Sequence, residues 1–370
     1  MNNKERINAI LHYQKYDMMP VVSFGFWNET CQKWAEEGHI TQEESQGYCS
    51  YGDNSEGDRA IMKKLGFDFN WNSCVSGNTG LSPWFEPRDI SVEPDGSIIQ
   101  CDGSGLIVRT VPGVVSIPAE IGTSLTGRKA WEELYLPKLQ YTPDRIDFNG
   151  LKNLPTEIPV GLYCGSLFGL MRNLLGVEHL SYLYADDEEL YDEIIETFGT
   201  LSYQIVKAVL ETGNKFDYAH FWEDICFKNG PLVSPSVFKD KVGPQYKKIT
   251  GLLKQYSVDI VSVDCDGMID ALIPTWLENG VNTMFPIEVG TWDASIAPWR
   301  EKYGRELRGV GGMNKTVFAQ DYKAVDKEIE RLKALVALGG YIPCPDHRIA
   351  PDAIFENVQY YCEQFKKTFI

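Results

Sequence analysis

Two aspartates stand two residues apart in Asp264-Cys265-Asp266-Gly267, and one histidine sits between an acid and an arginine in Pro345-Asp346-His347-Arg348. On an extended segment residues i and i+2 face the same side, so these carboxylates are expected next to each other. Like charges held that close repel: either one carboxyl keeps a proton at a raised pKa, or a cation sits between them. Asp266 could instead cap a helix beginning near Met268, a common post for aspartate. His347 is one of five histidines, and histidine is the side chain that titrates closest to neutral pH. Asp346 and Arg348 could simply pair with each other at the surface, where such pairs contribute little.

More polar groups close other short runs: His220-Phe-Trp222-Glu223-Asp224, Pro286-Ile-Glu288 and Gly311-Gly312-Met-Asn314-Lys315. Glu288 ends an otherwise apolar run, which sets it apart from a solvated face. His220 lies within a strand, where a histidine can equally well only fill space. Glu223 and Asp224 read first as partners of Lys228 in a loop latch, with substrate contact as the alternative. Asn314 is a further polar candidate for that contact. Phe24, Phe26, Trp27, Tyr163 and Trp222 are the aromatics expected near these ends, with Trp222 and Phe26 stacking on a substrate. The run Asp186-Asp187-Glu188-Glu189 reads as a solvated helix start.

These groups need a scaffold that brings them together. From residue 159 onward, β-rich apolar runs alternate with segments of helical period: Pro159–Gly165, Asp217–Trp222, Asp259–Asp264, Val281–Pro286, Leu307–Gly312 and Gly340–Pro345. Strand then helix, repeated at crossover spacing, means parallel strands with helices outside. Leu190, Ile194, Phe198, Leu201, Ile205 and Val209 form one apolar stripe, with Asp186 as its N-cap and Gly213 beyond its end. Ser234-Pro235 starts another helix, and Asp321 to Leu338 a third that stops at Gly339-Gly340. Val21–Phe26 and Phe67–Asn72 supply two more strands. Eight units close a (β/α)8 TIM barrel, whose strands would bring all the polar ends to one face. An N-terminal helix precedes it. Residues 88–118, alternating around two Asp-Gly turns, are expected as a β-hairpin insertion outside the barrel, and residues 1–370 as one domain. No Gly-rich phosphate loop follows a strand, which ranks a doubly wound nucleotide-binding fold second.

Composition narrows the function. A net charge of −17 over 370 residues repels nucleic acid and anionic membrane surfaces, so neither is an expected partner. No apolar run reaches the roughly 20 residues that would span a bilayer, and the polar N-terminus has no signal core. Nine scattered cysteines without a Cys-x-x-Cys pair suit a reducing cytoplasm.

The order of motifs resembles the uroporphyrinogen decarboxylase superfamily over nearly the whole chain. The segments concerned are Arg6-Ile-Asn-Ala-Ile-Leu, Gly165-Ser-Leu-Phe-Gly-Leu-Met-Arg172 through Glu178, Asp264-Cys-Asp-Gly267, and Gly340 through Asp352, followed by Glu356-Asn357. The resemblance implies the same barrel and a choice between decarboxylation and cobamide-dependent methyl transfer. In the decarboxylases, arginines after the first strand clamp the substrate carboxylates. Here the matching stretch, Pro20 to Glu29, has no arginine, and polycarboxylates need such guanidinium forks.

The methyltransferase branch that demethylates methoxylated compounds is the better likeness. The similar methyltransferases acting on methanol and methylamines hold zinc through His-x-Cys and a later Cys, where this chain has Asp264, Asp266 and, near the third position, His347. The resemblance thus implies an Asp-Asp-His set for Zn²⁺, with Glu288 as a further candidate. A protonated carboxyl could do the same work without metal. The expected reaction moves methyl from a small methylated substrate, such as an aryl methyl ether, to a cobamide carried by a partner corrinoid protein. The alternatives are a decarboxylase of a tetrapyrrole or other small acid, and a non-catalytic barrel that binds a cobamide partner.

Overall fold

Short apolar runs flanked by helices of 3.6-residue period leave each strand buried on both faces, which is the pattern of a parallel sheet. The computed structural model describes residues 1–112 and 118–370. Its barrel strands are, in order, Val22–Ser23, Phe69–Asn70 with a second piece at Cys74–Val75, Gly161–Tyr163, Tyr218–Trp222, Val261–Asp264, Thr283–Phe285, Arg308–Met313 and Tyr341–Pro345. All eight fall within the runs expected from the sequence or at their ends, except the piece Cys74–Val75, which lies beyond the expected run Phe67–Asn72.

Every neighbouring pair is parallel. The first strand pairs with the second through Val22 and Phe69. The second breaks after Asn70 and resumes to pair Cys74 with Gly161 of the third. Third to eighth then follow in chain order. Beyond the eighth strand the chain returns to the first through a parallel bridge between Phe26 and Ile349. There the Trp27 N–H donates to the Ile349 carbonyl at 3.1 Å, and the Ile349 N–H donates to Gly25 at 3.0 Å. The fold is a (β/α)8 barrel, and its strands end at one face.

The helices follow their apolar stripes. All six stripe residues from Leu190 to Val209 are buried in the helix Glu188–Leu210. Its cap is Asp187, which accepts the Leu190 N–H, and not Asp186. In a run of four acids the choice between neighbours lies with the backbone: Asp186 still belongs to the preceding helix Gly169–Asp186, and Asp187 is the residue between the two helices. The helix expected from Asp321 to Leu338 is Tyr322–Val336, and Asp321 caps it.

The insertion is larger than a hairpin. Strands Arg88–Val92, Ile98–Cys101, Leu106–Thr110 and Ala119–Thr123 form a four-stranded antiparallel sheet separate from the barrel. The expected boundary at residue 118 stops short of the fourth strand, whose Ala-Glu-Ile-Gly-Thr sequence has weak β character. Residues 113–117 of that segment lie outside the described residues. The sheet is tied to the helix Gly169–Asp186: Thr123 donates to the Leu174 carbonyl at 2.6 Å, and Glu120 accepts the Val177 N–H where that helix kinks at Gly176. Among the described residues no helix is long and apolar enough to cross a membrane, and all nine cysteines are free.

Candidate active site

The ends of the first, second, third, fourth, fifth and eighth strands surround a cavity of about 400 Å³. Its walls include Phe24, Tyr163 and Trp222, with Asn72, Ser76 and His220 as neutral polar groups and Asp264, Asp266, His347 and Arg348 as ionisable ones. Six of the ten site residues expected from sequence are thus placed at or beside one cavity: Tyr163, His220, Trp222, Asp264, Asp266 and His347.

Asp264 is the last residue of the fifth strand and is buried. Burial first, then the charges of Asp266 and Asp224, push its carboxyl well above the ordinary carboxylate range, while Arg348 works in the opposite direction. A group so placed favours its protonated form. The strand stops at Asp264, so the two-residue alternation does not extend to Asp266. The chain turns instead at Gly267, whose φ of +86° and contact with the Cys226 carbonyl, 2.4 Å from where a Cβ would sit, leave room only for glycine. No helix begins near Met268, so Asp266 caps nothing. Its Oδ2 lies 3.3 Å from His347 Nε2. Its Oδ1, like His347 Nδ1, is buried without a hydrogen-bond partner. The two orphaned atoms are available to a bound molecule.

The His347 ring is fixed by aromatics. It stacks on Trp27 at 5.8 Å and meets Phe24 edge-on at 5.7 Å. His220 shares a 2.6 Å hydrogen bond with Ser262, its register partner on the next strand. Burial lowers its pKa to about 3, so it is a neutral hydrogen-bonding imidazole and not an acid. Tyr163 is held as a phenol by burial.

The remaining expectations are corrected by the packing. Phe26 is not a substrate platform: Gly25, at φ +83°, breaks the strand alternation and sends Phe26 outward against Trp34 and Tyr48. Phe24 takes the place at the cavity. Glu223 forms no latch with Lys228 and does not line the cavity. It is fully buried and accepts the N–H groups of Leu167, Phe168 and Gly169 and the Tyr246 hydroxyl, capping the helix that follows the third strand. Its neighbour Asp224 faces Arg172 at 3.4 Å. Glu288 sits behind the site, where it accepts the Gly267 N–H and the Thr291 hydroxyl and braces the turn that carries Asp266. Asn314 caps the short 3-10 turn Lys315–Ala319 through Thr316.

Arg348 does not pair with Asp346, which accepts the N–H groups of Gly290 and Lys315. Its guanidinium grips Asp53 with both Nη atoms, at 3.0 and 2.6 Å, and donates to the Tyr48 hydroxyl. Asp53 is further held by Asn70 at 3.0 Å. Asp53 escaped sequence reasoning because it lies in a loop between helices, with no strand to place it. Asn72 and Ser76 carried a usable signal: they stand at the end of the second strand, as the noted acids do on theirs.

Zinc does not fit this arrangement. Among the described residues no group of three or more His, Cys, Asp or Glu side chains could hold a metal ion. His347 Nε2 meets Asp266 Oδ2 directly at 3.3 Å.

A parallel barrel with ionisable groups at the carboxyl ends of its strands belongs to the class that places its chemistry on that face. Residues 132–368 match the family model described as Uroporphyrinogen decarboxylase (URO-D), and the chain belongs to the uroporphyrinogen decarboxylase family. No curated protein matches the sequence. Among solved structures, a methyltransferase from Methanosarcina mazei is similar over 99% of each chain at 14% identity, with a TM-score of 0.61. A B12-independent methionine synthase from Shewanella sp. W3-18-1, in complex with selenomethionine, matches over 95% of this chain and 98% of its own at 10% identity and a TM-score of 0.48.

Proposed function

We propose that the protein is a methyltransferase that takes a methyl group from a small methylated substrate, best a methoxylated aromatic, and passes it to the cobalt of a corrinoid held by a partner protein. The observation that supports this reading is a buried carboxyl, Asp264, its pKa raised by burial, in a small cavity walled by Phe24, Tyr163 and Trp222. A cavity of about 400 Å³ lies toward the small end of the range for ligand pockets, roughly 300–1,000 Å³. Its aromatic walls suit a flat ring.

An ether oxygen is a poor leaving group unless it receives a proton as its bond to carbon breaks. Asp264, whose burial favours the protonated form, is the donor, and its carboxyl hydrogen would pass to that oxygen as the C–O bond pair returns to it. The Tyr163 phenol and the neutral His220 ring offer hydrogen bonds without adding charge. Reduced cobalt supplies the nucleophile that accepts the methyl group when the corrinoid is bound. The mouth fits a broad apolar partner. Trp27 beside His347 is 40% exposed, and Trp84, lining an adjoining cavity that shares Tyr163 and Trp222, is 48% exposed.

Decarboxylation of a polycarboxylate has less support. Arg348 is the one guanidinium lining the cavity among the described residues, and both its Nη atoms already bind Asp53. The test is anaerobic incubation of the protein with cob(I)alamin and a panel of methoxyarenes, methanol and methylamines, following the cobalt absorbance. Methylation with a methoxyarene and release of the phenol are expected. Absence of transfer from every donor would overturn the reading.

A further inference from the structure

On the opposite face of the barrel, three arginines converge on one ring. The guanidinium carbons of Arg305, Arg300 and Arg308 lie 4.6, 5.2 and 5.6 Å from the centroid of Tyr13. Tyr13 follows the first helix, Asn3–Leu11, and the arginines come from the chain leading into the seventh strand. The cluster therefore lies at the amino ends of the strands, away from the cavity at their carboxyl ends. It adjoins a hollow of about 450 Å³ lined by Tyr13, Asn282, Arg305, Glu306 and Arg308.

Arginine stays protonated under all ordinary conditions, so three cations share this space. The described ion pairs of arginine involve Arg6, Arg128, Arg172, Arg331 and Arg348, and none of these three. Burial, and the neighbouring charges of Arg308 and Arg305, work against the charge of Arg300. Backbone carbonyls satisfy part of the set: Leu338 accepts from Arg300, and Leu11 and Glu306 accept from Arg308. Nε and Nη2 of Arg300 are buried without a partner. Buried donors of this kind call for an acceptor, and like charges this close call for a counter-charge. Glu306, at the rim, is exposed and forms none of the described ion pairs. In a chain of net charge −17, such a concentration of positive charge is a local exception.

We propose that this cluster is a binding site for a tetrahedral oxyanion of the phosphate type. Guanidinium forks match the oxygens of such an ion two at a time, and the hollow leaves room for a small group esterified to it.

The full-length protein is titrated calorimetrically with inorganic phosphate at an ionic strength fixed by sodium chloride. Saturable binding is expected. Arg305 is exposed and makes no described side-chain hydrogen bond, so Arg305→Ala and Arg305→Glu test the site at the cost of its contact with the Tyr13 ring. Arg305→Ala should weaken binding about tenfold or more, the loss expected for one charge-assisted hydrogen bond, and Arg305→Glu should abolish it. A parallel titration with adenosine monophosphate separates the sources: equal affinity assigns the free ion, and tighter binding assigns a phosphate ester. No saturation with either probe, or undiminished binding by Arg305→Glu, would overturn the proposal.

Discussion

Replacing Asp264 with asparagine removes the proposed proton donor and keeps its shape. A positioned general acid contributes about 10²- to 10⁴-fold, and Asp264→Asn should lower the methyl-transfer rate by that factor, with KM little changed. Methyl ethers of more acidic phenols need the proton less, so the loss should shrink with a nitro-substituted donor. The wild-type rate should fall as pH rises through the raised pKa of Asp264, and the variant should lack that limb. Stability supplies an independent reading. The folded protein keeps the Asp264 proton where the unfolded chain has released it, above about pH 4. In that window the native state binds more protons, so wild-type stability declines with rising pH by about 1.4 kcal/mol per unit from this group. The decline ends at the folded-state pKa. Asp264→Asn should remove this slope and so gain on the wild type from acid to neutral pH. Single-turnover kinetics across pH and denaturant unfolding at pH 5 and 8 measure both effects. A variant within threefold of the wild-type rate for all donors, or one that retains the slope, would refute the assignment of Asp264 as the acid.

Three further outcomes follow from the same geometry. Dialysis against a strong chelator should leave methyl transfer intact, because no three donor side chains converge; stoichiometric zinc in the protein, lost in His347→Ala, would restore a metal centre. Phe26→Ala should cost about 3–5 kcal/mol in unfolding free energy with little change in KM, as expected for a core aromatic. Trp222→Ala should do the reverse, raising KM with a smaller loss of stability. Arg348→Lys gives up the two-pronged grip on Asp53; a double-mutant cycle with Asp53→Asn should show coupling of about 0.5–3 kcal/mol.

The barrel was legible because each strand is an apolar run closed by polar residues, and a parallel barrel has no other use for that pattern. The same logic brought Asp264, His220, Trp222 and His347 to one mouth from three separate stretches of chain. It failed where a single backbone angle or a distant partner decides. Phe24 and Phe26 share a side only if the strand stays extended, and Gly25 at φ +83° breaks it. Asp264 and Asp266 were expected to converge, but the strand ends at the first of them and the Gly267 turn takes the second to His347. Glu223 looked like a surface acid or a ligand contact. Its role is set by three backbone N–H groups at the start of the preceding strand's helix, and no local pattern encodes that. Asp53 gave no periodic or capping signal at all. It is defined by the guanidinium of Arg348, 295 residues away.

The central claim is that the methyl group of a methoxylated aromatic leaves this cavity on cobalt. A donor carrying a fully deuterated methoxyl group, incubated with the protein and cob(I)alamin under anaerobic conditions, tests it by mass spectrometry of the cobalamin. The label should appear on cobalamin in step with one equivalent of phenol, and uroporphyrinogen in a parallel reaction should release no carbon dioxide above background. Unlabelled cobalamin, together with decarboxylation at about one turnover per second or faster, would contradict the account.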